Sequence, residues 1–217
     1  MCPSVVEVKG KRHYEVGEED YVSVTTAMNE VLKPFAGVPA SVMKEHREIG
    51  DMVHSLIVEL CKAKVLKDWW EYDQRVRNSV IAYESFRKTV YLHPIHVEVE
   101  IVNHEHKYAG RLDQYSRIPS LGNGILDWKS GQLLPGAFFQ LAAYYKGVQA
   151  TYPNLKIDFG CAVHLDKHTG QPHPYFLEPS QLEYFFEGFL GLLGVYRQLE
   201  ELNMILKKGG DKWKMNH

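Results

Sequence analysis

Apolar residues recur every three or four positions over two long segments in the first half of the chain. The first segment runs from Pro39 to about Cys61, and the second covers about 68–90. This spacing predicts two helices, because residues three and four apart lie on one face of a helix. Upstream, Ser23 precedes a short apolar run that stops before Pro34, which predicts a short helix with a serine cap.

Apolar and polar residues then alternate, which is typical of a strand with one buried face. Over 95–102 every second residue is apolar, so Ile95 is expected on the buried face, with Glu98 and Glu100 on the other. The sequence YAGRLDQYS at 108–116 is predicted to return as the second strand of a hairpin. The same signals predict a turn at 122–124, a strand at 125–129, a helix from Pro135 to Ala150, strands at 157–165 and 174–178, and a long helix from Pro179 to about Leu206.

The predicted fold class is α/β, with the order helix, three strands, helix and strand, and a mixed central sheet flanked by helices. Extended runs on either side of Lys9 and Gly10 predict an N-terminal hairpin, which forms an extension with the short helix. The 217 residues suit one domain, expected over 1–206 with its core at about 40–165. Residues 207–217 contain four lysines and one aspartate, and this composition predicts a mobile basic tail.

The composition excludes several classes of protein. Hydrophobic residues make up 45% of the chain, which is ordinary for a globular domain and excludes disorder, collagen and coiled coil as the main body. No run approaches the ~18 apolar residues of a membrane span, and the N-terminus lacks a secretion or transit signal. An intracellular protein, cytoplasmic or nucleoid-associated and without a membrane partner, is therefore expected. Cys2, Cys61 and Cys161 lie too far apart for a disulfide scaffold, a zinc ribbon or an iron–sulfur cluster.

The net charge of −2 lacks the basic excess that is usual in nucleic-acid binders. It does not exclude them, since a binding groove needs only local positive charge. The carboxylates of a metal site would also lower the total. The charge therefore leaves a nucleic-acid-binding function open.

Two aspartates and a lysine carry the most informative chemistry. Asp113 lies on one predicted strand, and Asp127 and Lys129 end the next one. Residues two apart on a strand point to the same face, so the second aspartate and the lysine converge. Two carboxylates and an ammonium at a sheet edge suit a divalent metal and a phosphate. The alternative is a surface ion pair at a strand end.

These residues stand in a wider pattern that resembles the PD-(D/E)XK nuclease superfamily, and most closely its RecB-like exonuclease branch. That branch includes phage recombination exonucleases and the mitochondrial genome maintenance exonuclease. The match covers about 40–165 and consists of elements in the family's order: a G-x-x-x-H helix motif from Gly50 to His54, Glu98, GRLD at 110–113, ILDWKSG at 125–131 and QLAAY at 140–144. The resemblance implies the PD-(D/E)XK nuclease core, whose helix–three strands–helix–strand order agrees with the periodicity.

The resemblance also implies roles for the central residues. Asp113 and Asp127 would be metal ligands for Mg²⁺ or Mn²⁺, joined by the backbone carbonyl of Trp128. Lys129 would be the catalytic lysine. His54 would complete the metal shell from its helix; the alternative for it is a core histidine.

Further roles fall on residues around this centre. Glu98 would be the strand acid, because the family's acid usually lies about fifteen residues before the aspartate of the GxxD motif; Glu100 is its rival. Gln140 and Tyr144, four apart on a helix, would line the site and position nucleic acid. Arg111 is a candidate phosphate contact, and a solvated strand arginine is the alternative.

These observations together predict a deoxyribonuclease that depends on Mg²⁺ or Mn²⁺. It is expected to be an exonuclease that acts on single-stranded DNA ends in replication, repair or recombination, where it would work with partner proteins of those processes. Three alternatives stay open: an endonuclease with the same metal site, a nucleic-acid-binding module without catalysis, and an α/β interaction domain. An aromatic- and arginine-rich stretch is expected to wall a channel for a threaded strand, unless it only packs on the sheet; its residues are Trp69, Trp70, Tyr72, Arg75, Arg77, Tyr83 and Arg87.

Overall fold

Eight strands form one mixed sheet in the computed structural model, which describes residues 4–8, 11–63, 66 and 68–215. Helices cover both faces of the sheet, so the predicted mixed α/β architecture is confirmed. The strands are β1 (Ser4–Val8), β2 (Lys11–Val16), β3 (Glu19–Ser23), β4 (His93–Asn103), β5 (Tyr108–Ile118), β6 (Gly122–Lys129), β7 (Phe159–Leu165) and β8 (Pro172–Leu177). The helices are α1 (Val24–Leu32), α2 (Ala40–Ala63), α3 (Gln74–Thr89), α4 (Gly136–Thr151) and α5 (Pro179–Met215).

The N-terminal extension is built into the sheet. β1 pairs antiparallel with β2, which confirms the predicted hairpin, although Lys9 and Gly10 at its turn lie outside the described residues. β3, which the sequence pattern did not indicate, pairs antiparallel with β2 and parallel with β5. Ser23 then caps α1, because its Oγ accepts a hydrogen bond of 3.0 Å from the Thr26 backbone N–H.

The long strand β5 is shared by three neighbours. β4 runs antiparallel along one edge and pairs with it from Tyr108 to Arg117. The other edge is divided, since β3 pairs with 108–109 and β6 pairs with 114–118. Among the described strands, none therefore lies beside residues 110–113 on that edge. This unpaired stretch of β5 carries the GRLD sequence.

Two hydrophobic clusters lie on opposite faces of the sheet. One joins the sheet to α1, α4 and α5, and the other joins it to α2 and α3. Along β6 the residues alternate between them: Ile125 packs in the first cluster, and Leu126 and Trp128 pack in the second. The alternation places Asp127 and Lys129 on the face that carries α4.

Three local features differ from the expectations. The segment predicted as one helix over about 68–90 divides into a 3₁₀ turn, Trp69–Glu71, and α3, because the Asp73 side chain caps the N-terminus of α3 through the Arg75 N–H. Residues 122–124 begin β6, and the turn lies before them at 119–121. Ile95 is 46% exposed, because the pairing register shifts between Pro94 and His96 and breaks the alternation.

At the C-terminus, α5 continues to Met215 instead of ending near Leu206. The segment from 207 to 215 was predicted as a tail and is helical, and 216–217 lie outside the described residues. None of the described helices combines the length and apolar character needed to cross a membrane.

Helix α4 lies close to the sheet at Gly147, and this contact generates a stability prediction. A Cβ atom at Gly147 would lie 3.0 Å from the Cβ of Ile101, so Gly147→Ala should push α4 away from β4. We expect this substitution to lower the free energy of unfolding by about 1–3 kcal/mol, measured by urea denaturation. Gly191→Ala on α5 is the matched control, because no described atom other than those of its chain neighbours and its own helix backbone lies within 4 Å of the new Cβ, and it should be neutral or stabilising. Equal effects of the two substitutions would contradict the contact.

Candidate functional site

A cavity of about 410 Å³ opens beside the unpaired stretch of β5. It is bounded by strands β4, β5 and β6 and by helices α2 and α4. Every site residue predicted from the sequence lines it, which brings together His54, Glu98, Arg111, Asp113, Asp127, Trp128, Lys129, Gln140 and Tyr144. Residues that are up to 90 positions apart in the chain are thereby collected around one space.

Asp113 is held by contacts from two other elements. Its Oδ1 lies 3.2 Å from His54 Nδ1 on α2, and its Oδ2 accepts a hydrogen bond of 2.8 Å from the Trp128 backbone N–H on β6. Burial raises the pKa of this carboxyl, but the charges of His54 and Lys129 and the hydrogen bond outweigh burial. The pKa of Asp113 therefore lies below its ordinary value, and the group is an anion at neutral pH.

Asp127 is the most buried member of the cluster, with a side chain only 1% exposed. Its Oδ2 forms an ion pair with Lys129 Nζ at 2.7 Å and accepts no further hydrogen bond within the described residues. Burial raises the pKa of Asp127, and the nearby negative charge of Asp113 raises it further. The positive charge of Lys129 lowers the pKa, and the result is a value of about 6. The carboxylate therefore has one cation beside it and spare capacity as an acceptor.

Lys129 is positioned by a chain of polar contacts from α4. Its Nζ donates a hydrogen bond of 3.0 Å to Gln140 Oε1, and Gln140 Nε2 donates one of 2.9 Å to the Tyr144 hydroxyl. The ring of Tyr144 fits because Gly110 faces it, since a Cβ there would lie 2.8 Å from Tyr144 Cε1. Burial lowers the pKa of Lys129, but the charges of Asp127 and Asp113 raise it above the ordinary value, so the ammonium stays protonated.

Glu98 on β4 and Arg111 on β5 also line the cavity. Glu98 Oε1 is 3.3 Å from Arg111 Nη1, and both side chains are nearly half exposed. Glu98 adopts a left-handed backbone conformation with φ of 51°, which is uncommon for a residue other than glycine. Its rival Glu100 does not line this cavity.

The cavity also contains residues that the sequence reasoning missed. Asp51 and Ser55 line it from α2, and Arg12 and Thr25 line it from the N-terminal extension. Asp51 lies three residues before His54, and residues three apart share one face of a helix, so the sequence spacing could have indicated that Asp51 faces the site. Ser55 directly follows His54, and the spacing gave no such signal for it. No local signal marks Arg12 and Thr25, because the unforeseen pairing of β3 with β5 brings them to the site.

The predicted channel wall is wrong in its placement. None of the seven residues that were expected to form this wall, all of them described, lines the cavity. Tyr83 is buried with its ring edge-on to Trp128 at a centroid distance of 5.0 Å. Arg75 Nη2 pairs at 2.8 Å with Glu45. Helix α3 therefore packs on the sheet, which was the alternative expectation.

The donors around Asp113 and Asp127 fit a hard divalent cation. Carboxylate and backbone carbonyl oxygens are the ligands that Mg²⁺ and Mn²⁺ prefer, and the buried carboxylate of Asp127, with the Lys129 ammonium beside it, retains lone pairs that can accept a cation. Across the described ranges, however, no three His, Cys, Asp or Glu side chains are grouped closely enough to form a metal site by themselves. A site here would use the Trp128 carbonyl and solvent as well as side chains.

Comparisons with known proteins give little further information. No family model and no curated protein matches the sequence. A solved structure described as the crystal structure of SSO0001 is similar over 82% of this chain and 78% of that chain, with 17% sequence identity and a TM-score of 0.33. A similarity of this size carries no conclusion about function.

The raised pKa of Asp127 predicts how metal binding depends on pH. A cation bound here would need the ionised carboxylate, so we expect Mn²⁺ to raise the thermal unfolding temperature at pH 7.5 and to raise it less as the pH falls through about 6. Differential scanning fluorimetry with and without Mn²⁺ measures this. Asp127→Asn should lose the effect at every pH, whereas Asp20→Asn, an exposed carboxylate outside the cavity, should keep it. An equal Mn²⁺ effect in both variants would contradict a role for Asp127.

Proposed function

We propose that this protein is a metal-dependent nuclease that hydrolyses phosphodiester bonds in DNA. The observation that carries the proposal is the meeting of Asp113, Asp127 and Lys129 in one cavity, where His54 and Gln140 contact them. The resemblance of the sequence to the RecB-like branch of the PD-(D/E)XK superfamily supports it independently of these contacts. A PD-(D/E)XK core is part of the proposal.

The proposed ligands are the two aspartates, the Trp128 carbonyl and His54, with Mg²⁺ or Mn²⁺ as the cation. The chemistry that such a cation supplies when bound is neutralisation of phosphate charge and a more acidic water. His54 also contacts Asp113 at 3.2 Å and thereby orients its carboxylate. This arrangement gives the helix motif a positioning role in addition to its role as a ligand.

Lys129 would stabilise the negative charge that the phosphate gains in the transition state. Its ammonium is suited to this because the two aspartates keep it protonated and Gln140 restrains its position. Tyr144 restrains Gln140 in turn. Arg111, which also lines the cavity, would contact a phosphate, and Glu98, which pairs with Arg111, would set the direction of the guanidinium.

Single substitutions in the charged cluster test the catalytic proposal. Asp113→Asn, Asp127→Asn and Lys129→Met should each lower the rate of cleavage by at least about 10²-fold, because each removes a charge that acts on the metal or the transition state. The measurement is degradation of end-labelled single-stranded DNA with Mg²⁺ or Mn²⁺, with EDTA as the blank.

Matched exposed residues provide the controls. Asp20→Asn and Lys88→Met change the same kinds of charge outside the cavity and should cleave at the wild-type rate. Circular dichroism establishes that each variant is folded. Wild-type protein that binds DNA in Ca²⁺ but cleaves nothing in Mg²⁺ or Mn²⁺ would instead indicate a binding module without catalysis. Wild-type activity in either aspartate variant would overturn the metal assignment.

The manner of cleavage has two candidates. The sequence resemblance favours an exonuclease, which needs a free end. An endonuclease is the second candidate, because the residues expected to wall a channel pack against the sheet or lie outside the cavity.

A covalently closed single-stranded circle distinguishes the two. We expect the linear form of the same strand to be degraded in Mg²⁺ while the circle persists, since only the linear strand offers an end. The products are resolved by denaturing gel electrophoresis, and the same circle opened by one cut before the assay is the linear comparison, so the two substrates differ only in the presence of ends. Equal loss of the circle and the linear strand would establish an endonuclease.

A further inference from the structure

A second cavity adjoins the charged cluster on the side of α1 and the N-terminus of α4. Its volume is about 490 Å³. We name it the α1–α4 groove, and its apolar lining includes Met28, Leu32, Phe35, Leu134, Pro135 and Phe139. The groove shares Thr25, Lys129 and Gln140 with the charged cavity, so a bound molecule can extend from one into the other.

The groove exposes apolar surface that the core does not use. Leu32 is 41% exposed and Phe35 is 45% exposed, although both lie beside buried Met28. Polar groups accompany this surface, since the amides of Asn29 and Gln132 also line the groove. An occupant that matches it has apolar faces and hydrogen-bonding edges.

We infer that the α1–α4 groove holds an unpaired nucleobase of the nucleotide whose phosphate lies at Lys129; the inference rests on the proposed function. A base is joined through its sugar to the phosphate, so a strand bound at Lys129 places a base beside that residue. Phe35 and Leu32 offer it apolar contact, and aromatic contacts to bases tolerate any sequence because every base has a π-face.

The groove also gives a physical reason for a preference for single strands. A base in a duplex is paired and stacked, and moving it into a protein pocket costs a few kcal/mol. An unpaired base enters without breaking a pair. The preference for single-stranded DNA therefore comes from the α1–α4 groove beside Lys129. The sequence had suggested a different source, a channel walled by the aromatic residues before β4.

Strands with and without bases test the inference. The probes are fluorescein-labelled dT12 and a strand of the same length built from abasic tetrahydrofuran residues, which keeps every phosphate. Binding is measured by fluorescence anisotropy in Ca²⁺. The double substitution Leu32→Ala and Phe35→Ala should weaken binding of dT12 by roughly tenfold or more, the loss expected for one base contact. It should leave binding of the abasic strand unchanged.

Matched residues and substrates separate the possible failures. Leu121→Ala and Tyr184→Ala remove exposed apolar side chains outside the groove and should leave dT12 binding unchanged. If wild-type protein neither binds nor cleaves DNA, the proposed function fails. If it cleaves DNA but the double variant binds dT12 as tightly as wild type, only the base-binding inference is overturned. An equal loss on the dT12 and abasic strands also overturns it, because the groove would then act on the backbone.

Discussion

The structure depends on keeping the carboxylates of Asp113 and Asp127 paired where they lie with Lys129 between α4 and the sheet. Asp127 is almost completely buried, and a buried charge is tolerated only when it is paired or hydrogen-bonded. Lys129 lies against Asp127, and Asp113 uses His54 and the Trp128 backbone. Removing one partner of such a buried pair typically costs about 3–5 kcal/mol, so the surrounding elements are held in place by the need to satisfy it.

The divided edge of β5 makes room for this cluster. A strand that paired with β5 along its whole length would cover the edge beside 110–113 with backbone hydrogen bonds. Because β3 takes only the beginning of the edge and β6 only its end, the stretch between them opens into the cavity. Gly110 contributes as well, because its missing side chain leaves space for the ring of Tyr144. The sheet topology and one glycine thus create the site together.

Under the proposed function, the polar cavity would hold the phosphate and cation of a bound nucleotide, and the apolar groove would hold its base. The cavity presents charge from β5, β6 and α2, where a phosphate and a cation are suited. The groove presents apolar surface from α1 and α4, where a base is suited. Lys129 and Gln140 belong to both, so the contact that restrains the ammonium also connects the two spaces. Helix α1 reaches this position because Ser23 ends β3 in the sheet and begins the helix.

The sequence alone determined those features that depend on neighbours along the chain. Helical and alternating periodicity predicted the order of elements around the site, and the i, i+2 spacing of Asp127 and Lys129 placed both on one face of β6. Pairing between distant strands leaves no such local signal. Only the tertiary structure therefore decided that β3 joins β5 and brings Arg12 and Thr25 to the cavity. It also decided that α3 buries Tyr83 against Trp128, because the face that a helix presents depends on the surface it packs against.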